Sequence, residues 1–117
     1  AQAVAAAATE RFPYVARVWL ESAAIHRARN APEDEVASCR RAVELNPTWN
    51  RAIHAMADAL ERSHRLDEAR EVYRRAIARL PMEADLHAAL ASIDWRLGRE
   101  QDALAAVERA LRLSPTM

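Results

Sequence analysis

Glycine is nearly missing from this sequence: Gly98 is the only one in 117 residues. The common phosphate-cradling loops each need at least two glycines, so nucleotide chemistry built on them is excluded. Cysteine is as scarce. Cys39 stands alone, no internal disulfide can form, and its place in an apolar helical stripe makes it a small core residue rather than a reactive thiol. Lysine is absent, so all 17 basic side chains are arginine, and with alanine the commonest residue this bias points to a GC-rich, bacterial genome. No apolar run approaches the roughly 20 residues that cross a bilayer, and no charged-then-apolar signal segment opens the chain. The first residue is Ala1 rather than methionine, which points to processing or excision and leaves the compartment open, with cytoplasm favoured over periplasm.

Charge of one sign is also missing. The 17 basic residues balance 17 acidic ones, spread along the chain, so there is no basic stripe for nucleic acid and no acidic tail. What is abundant is alanine, with few β-branched residues and one glycine, a composition that favours helix almost everywhere and leaves no room for a sheet. The length suits a single core of modest size.

Four of the five prolines fall in register: Pro13, Pro47, Pro81 and Pro115 are separated by 34 residues each (47 − 13, 81 − 47, 115 − 81). Related segments precede them, such as Ala42-Val43-Glu44-Leu45-Asn46 before Pro47 and Ala76-Ile77-Ala78-Arg79-Leu80 before Pro81. Proline lacks the N–H and crowds the preceding turn, so each marks the end of a helix, and the interval holds two helices of about three to four turns.

In the middle interval Ile53, Met56, Ala57 and Leu60 follow the i, i+3, i+4, i+7 rule, as do Ala69, Tyr73, Ala76, Ile77 and Leu80, with a joint near Ser63 to Arg65. The last interval carries Leu86, Leu90, Ile93 and Leu97, then Gly98, then Ala103, Val107, Ala110 and Leu111. The first carries Val15, Val18, Trp19, Ala23 and Ile25, then Asn30, which tolerates a left-handed backbone, and Pro32 followed by Glu33-Asp34-Glu35, the start of a new helix.

Counted from Ala16, Asn50 and Ala84, the units resemble the tetratricopeptide repeat (TPR) family along essentially the whole chain. The large fourth position is Trp19, Ile53 and His87; the seventh and eighth are Ser22-Ala23, Met56-Ala57 and Leu90-Ala91; the twenty-fourth is Cys39, Tyr73 and Val107; the twenty-seventh is Ala42, Ala76 and Ala110. Alanine at such sites lets antiparallel helices approach to about 8–10 Å. Three departures stand out. Glu35 replaces the small residue that Ala69 and Ala103 supply at the twentieth position, and His26 and Asp94 occupy an eleventh position that is usually large and apolar; shifted or frayed hairpins are expected there.

The resemblance implies an all-α, right-handed α-solenoid of antiparallel helix pairs: a second helix of an incomplete repeat at 1–13, then repeats at 14–47, 48–81 and 82–117. Without a polar closing helix, the chain reads as part of a longer solenoid or as a unit whose open ends self-associate or meet a partner.

No cofactor, metal or catalytic constellation is expected. His54, Asp58 and Glu61 share a helix face, but a mixed charged face is the ordinary solvated surface, and no serine or cysteine nucleophile carries a signature. The resemblance instead implies a protein-protein interaction scaffold whose first helices line a concave groove. Its candidate residues are Arg17, Leu20 and Arg27, then Arg51, His54, Asp58, Glu61 and Arg62, then Asp85, Ser92, Trp95 and Arg96. Trp95 beside Arg96 has the makings of a binding anchor, whereas Trp19 and Trp49 read as structural. The lysine and asparagine clamp that grips chaperone carboxyl termini in some relatives is absent, since the first repeat offers Leu20 and Ala24. The alternatives are a half-a-TPR (HAT) scaffold of an RNA-processing complex, to which Val18-Trp19-Leu20-Glu21-Ser22-Ala23 is similar, and the non-catalytic arm of a larger transferase.

Overall fold

The computed structural model describes residues 14–115 and places six helices there: α1 (Tyr14–Ala28), α2 (Pro32–Leu45), α3 (Asn50–Arg62), α4 (Leu66–Arg79), α5 (Ala84–Arg96) and α6 (Glu100–Leu113). The half repeat expected at 1–13 lies outside the described residues. Among them there is no strand, and no helix is long and apolar enough to cross a membrane.

The prolines punctuate as their chemistry requires. α2, α4 and α6 end at Leu45, Arg79 and Leu113, two residues before Pro47, Pro81 and Pro115. The N–H groups of Asn46, Leu80 and Ser114 close the last helical turn on the carbonyls of Ala42, Ala76 and Ala110. Pro47 and Pro81 then take the second place of a tight turn, closed by Trp49 N–H on Asn46 O at 3.2 Å and by Glu83 N–H on Leu80 O at 3.3 Å.

The first helix of each pair ends in a different device, repeated three times. Asn30, His64 and Gly98 are left-handed, with φ of 61°, 61° and 79°. Around them Ala31, Arg65 and Arg99 donate their N–H groups back to His26, Leu60 and Asp94, while Asn30, His64 and Gly98 donate to Arg27, Glu61 and Trp95. This paired pattern satisfies carbonyls that a helix end leaves orphaned. The sequence marks Asn30 and Gly98 as suited to that backbone; His64 adopts it with no such advantage.

Helix starts rely on charge. Ala31, Arg65, Glu83 and Arg99 hold the position before the first helical residue of α2, α4, α5 and α6, and none contributes a side-chain cap. Acids fill the first turns instead: Glu33, Asp34 and Glu35; Asp67 and Glu68; Asp85; Glu100 and Asp102. Arg65 folds onto Glu68, and Arg99 onto Asp102 at 3.5 Å.

The chain forms two compact units, residues up to Ala59 and residues from Leu60 on. In the first, α1 packs on α2, burying Ala16, Leu20, Ala23, Val36, Cys39 and Ala42; Ser22 and Ser38 bridge the two helices through their hydroxyls at 3.0 Å. Trp19 is half-buried with the Arg41 guanidinium 5.7 Å from its ring centre. In the second unit α5 packs on both α4 and α6, around Leu60, Ala69, Tyr73, Ala76, Leu86, Ile93, Ala103 and Ala110. Each fully buried Leu or Ile contributes about 1.5–3 kcal/mol.

Two expectations need correction. The hairpins are not frayed at the odd residues: α5 runs unbroken through Asp94, which is 1% exposed, because Arg70 of α4 donates Nε–H to its Oδ1. Arg70 also reaches Asp102 at 3.5 Å. Likewise α2 is continuous through Glu35, which is buried. Second, not all of the apolar periodicity faces inward, since Val18, Ile25, Val107 and Leu111 are exposed.

Candidate functional site

α5 is a helix with two committed faces. Leu86, His87, Ala91, Ile93 and Asp94 are buried, His87 donating Nε2–H to the Pro81 carbonyl at 2.9 Å. The rotation of about 100° per residue then carries Ser92, Trp95 and Arg96 to the opposite side as an i, i+3, i+4 stripe. All three are exposed, and Trp95, at 63%, shows most of its indole. The last turn of α3 lies beside this stripe. Arg96 donates Nη1–H to Glu61 Oε1 at 2.5 Å, across 35 residues of sequence. The pair is partly solvated, with side-chain exposures of 45% and 23%, so it fixes the guanidinium against α3 more than it stabilises the unit.

The second unit therefore brings together Glu61 and Arg96, beside Trp95 on the same helix. Arg62 is exposed and Asp85 half-buried, each with a partner of its own. In the first unit Arg17, Arg27, Arg51 and Asp58 are exposed and His54 is half-buried and partnered. Leu20 faces the core instead, 8% exposed, which leaves little of it for a guest. Among the described residues no three His, Cys, Asp or Glu side chains are placed to share a metal ion.

The Glu61–Arg96 contact was not foreseen, although the signal was available. Those residues hold the twelfth and thirteenth positions of successive units, which sit side by side when hairpins stack. Arg41 over Trp19 had no such signal, because a cation poised on a ring depends on rotamers that periodicity does not encode.

A family model described as tetratricopeptide repeat matches residues 1–48 and 54–117. The chain belongs to the tetratricopeptide repeat family. Solved TPR structures superpose closely: MamA at a TM-score of 0.71 and 22% identity, covering 91% of this chain and 62% of that one; the first TPR of Spaghetti (RPAP3) bound to HSP90 peptide SRMEEVD at 0.72 and 17%, covering 87% and 81%; and YrrB, a TPR protein with an unusual peptide-binding site, at 0.72 and 20%, covering 86% and 52%. Identities this low establish the fold alone. The chain spans about three fifths of the MamA chain it matches. The match is to the tetratricopeptide repeat itself and lends nothing to the HAT subclass, and it is a repeat family rather than a catalytic one.

Proposed function

We propose that the chain is a non-catalytic interaction module that binds an extended peptide or protein segment along the outward stripes of its first helices. Trp95 anchors the guest and Arg96, held by Glu61, reads its charge. The exposed indole of Trp95 carries this reading: it is a large apolar surface left in water, and tryptophan and arginine are both enriched at interface hot spots. Two proteins of the same fold support it: the first TPR of Spaghetti (RPAP3) is bound to the HSP90 peptide SRMEEVD, and YrrB has an unusual peptide-binding site. The guest favoured by the chemistry carries one apolar side chain and a neighbouring carboxylate, which Arg96 meets with charge-assisted hydrogen bonds of about 1.5–3 kcal/mol each. Arg62, Asp85 and Ser92 complete the proposed surface of the second unit, and Arg17, Arg27, Arg51, His54 and Asp58 are the corresponding candidates of the first. No feature of the described residues favours the RNA-processing or transferase-arm readings over this one.

The test is fluorescence anisotropy of the whole chain against labelled extended peptides that share one aromatic residue and differ in net charge. The acidic peptide is expected to bind tightest. Trp95→Ala should weaken it at least about tenfold, a hot-spot loss, and Arg51→Ala by less. Equal affinity in wild type and both variants would remove this surface from consideration.

A further inference from the structure

Glu61 and Arg96 form an open couple of opposite charge. Arg96 donates Nη1–H to Glu61 Oε1, yet the two side chains keep 45% and 23% of their surface in water. A guanidinium carries five N–H donors and a carboxylate about four acceptor sites, so one bond between them leaves most of both groups unspent.

The couple is peculiar to its place in the chain. Glu61 and Arg96 are the twelfth and thirteenth residues of successive units, and one unit earlier the same two positions are Arg27 and Arg62, both cationic. The repeat pattern therefore does not call for an ion pair at these positions, and a pair this solvated contributes little to stability. Opposite charges fixed side by side act instead on what approaches them, favouring a guest of complementary pattern and opposing one of like charge.

We propose that Glu61 is a specificity residue of the peptide site, restricting the guest to a single carboxylate with a side-chain amide two residues away from it. The inference rests on the peptide-binding reading above and narrows the class of guest. Glu61 takes Nη1–H of Arg96, and the edge formed by Nε–H and Nη2–H stays available to hold one guest carboxylate in a bidentate fork. In an extended chain, side chains two residues apart point the same way at a spacing of about 7 Å. The residue two places from the bound carboxylate thus reaches Glu61 rather than Arg96. An amide there donates N–H to Glu61 Oε2, an apolar side chain covers that oxygen without pairing it, and a second carboxylate meets a like charge.

Fluorescence anisotropy of the whole chain tests this with three labelled peptides. They share one phenylalanine and a central aspartate, and carry glutamine, methionine or glutamate two places to either side of the aspartate, so that the direction of the guest does not matter. All three are acidic, which separates the preference from the sign of net charge. Wild type is expected to bind the glutamine peptide about tenfold tighter than the glutamate peptide, with methionine between them. Glu61→Gln still accepts the Arg96 bond but removes the charge, and should bring the glutamine and glutamate peptides to within about twofold of each other. Raising salt from about 50 to 500 mM should narrow the wild-type gap in the same direction. Trp95→Ala, with circular dichroism as the folding control, reports on the underlying site. Binding that depends on Trp95 but does not distinguish glutamine from glutamate overturns the specificity role alone, as does a preference that survives Glu61→Gln. Binding of none of the peptides, or binding indifferent to Trp95→Ala, overturns the peptide site and this role with it.

Discussion

In the unit up to Ala59 the helices of the first hairpin are bridged by two hydroxyls, Ser22 and Ser38 at 3.0 Å. In the unit from Leu60 on, the bridge between α4 and α5 is a guanidinium, Arg70, held by Asp94 with Asp102 beside it. A neutral hydroxyl pair exchanges hydrogen bonds with water at little net gain, and either partner can be lost without stranding a charge. The ionic bridge is asymmetric: the pair itself contributes little beyond its own desolvation, but neither member can be removed alone. The two units therefore differ less in how strongly they are held than in how they fail.

The largest expected effect breaks that asymmetry. Arg70→Ala strands Asp94 and should lower unfolding free energy by about 3 kcal/mol, the lower end for a broken buried pair because the Arg70 side chain keeps some solvent contact at 17% exposure. The double replacement Arg70→Met with Asp94→Leu should return to within about 1 kcal/mol of wild type. Urea denaturation of the three proteins measures both; a single replacement as mild as Ser22→Ala would erase the distinction between the units.

Next in size is a test of close approach. Ala42 and Ala110 hold the same register position in α2 and α6. Ala42 is sealed at 0% exposure, whereas Ala110 sits on a helix whose outer residues Val107 and Leu111 are open. Ala42→Leu should cost about 2–3 kcal/mol through overpacking and Ala110→Leu nearer 1 kcal/mol, because α6 can yield outward. Thermal unfolding of the two variants decides it, and equal losses would mean that α6 is as confined as α2.

Most of the fold was legible because its rules are periodic. Pro47 and Pro81 end helices wherever they stand, and Ala42, Ala76 and Ala110 report close helix approach by their size alone. The errors came from the same source. Periodicity reports that Val18, Ile25, Val107 and Leu111 want burial, but not whether a neighbour exists to bury them, so their exposure was hidden. Asp94 misled in the opposite sense: a carboxylate at an apolar position reads as a defect until Arg70, 24 residues earlier, is brought beside it. At the candidate site, repeat position found the stripe of Ser92, Trp95 and Arg96, but it also nominated Leu20. Leu20 is buried at 8% exposure, since leucine has more to gain from the core than His54 at the equivalent place in α3.

A smaller effect completes the comparison from the neutral side. Ser22→Ala leaves the hydroxyl of buried Ser38 without this partner and should cost about 1 kcal/mol, while replacing both serines by alanine should cost less than either single change. A double-mutant cycle by chemical denaturation gives the coupling directly; a coupling near zero would leave the first hairpin held by apolar packing alone.

The smallest effect concerns the turns between paired helices, where three residues answer one backbone demand. A left-handed residue with a side chain is disfavoured by roughly 1–2 kcal/mol, less for asparagine, and not at all for glycine. Gly98 has φ of 79° with open space where a Cβ would stand, so Gly98→Ala should cost about 1 kcal/mol through backbone conformation alone. His64, at φ 61°, is the reverse case: His64→Gly should stabilise the protein by about 0.5–1 kcal/mol, the relief of φ being partly offset by the greater freedom of glycine in the unfolded chain. Asn30→Gly should change stability by only a few tenths of that scale. The ranking of the three in one thermal-melt series is sharper than any single value. If His64→Gly destabilises, the imidazole contributes more at that turn than its strained backbone costs, and the turn after α3 would have to be assigned a role beyond reversing the chain.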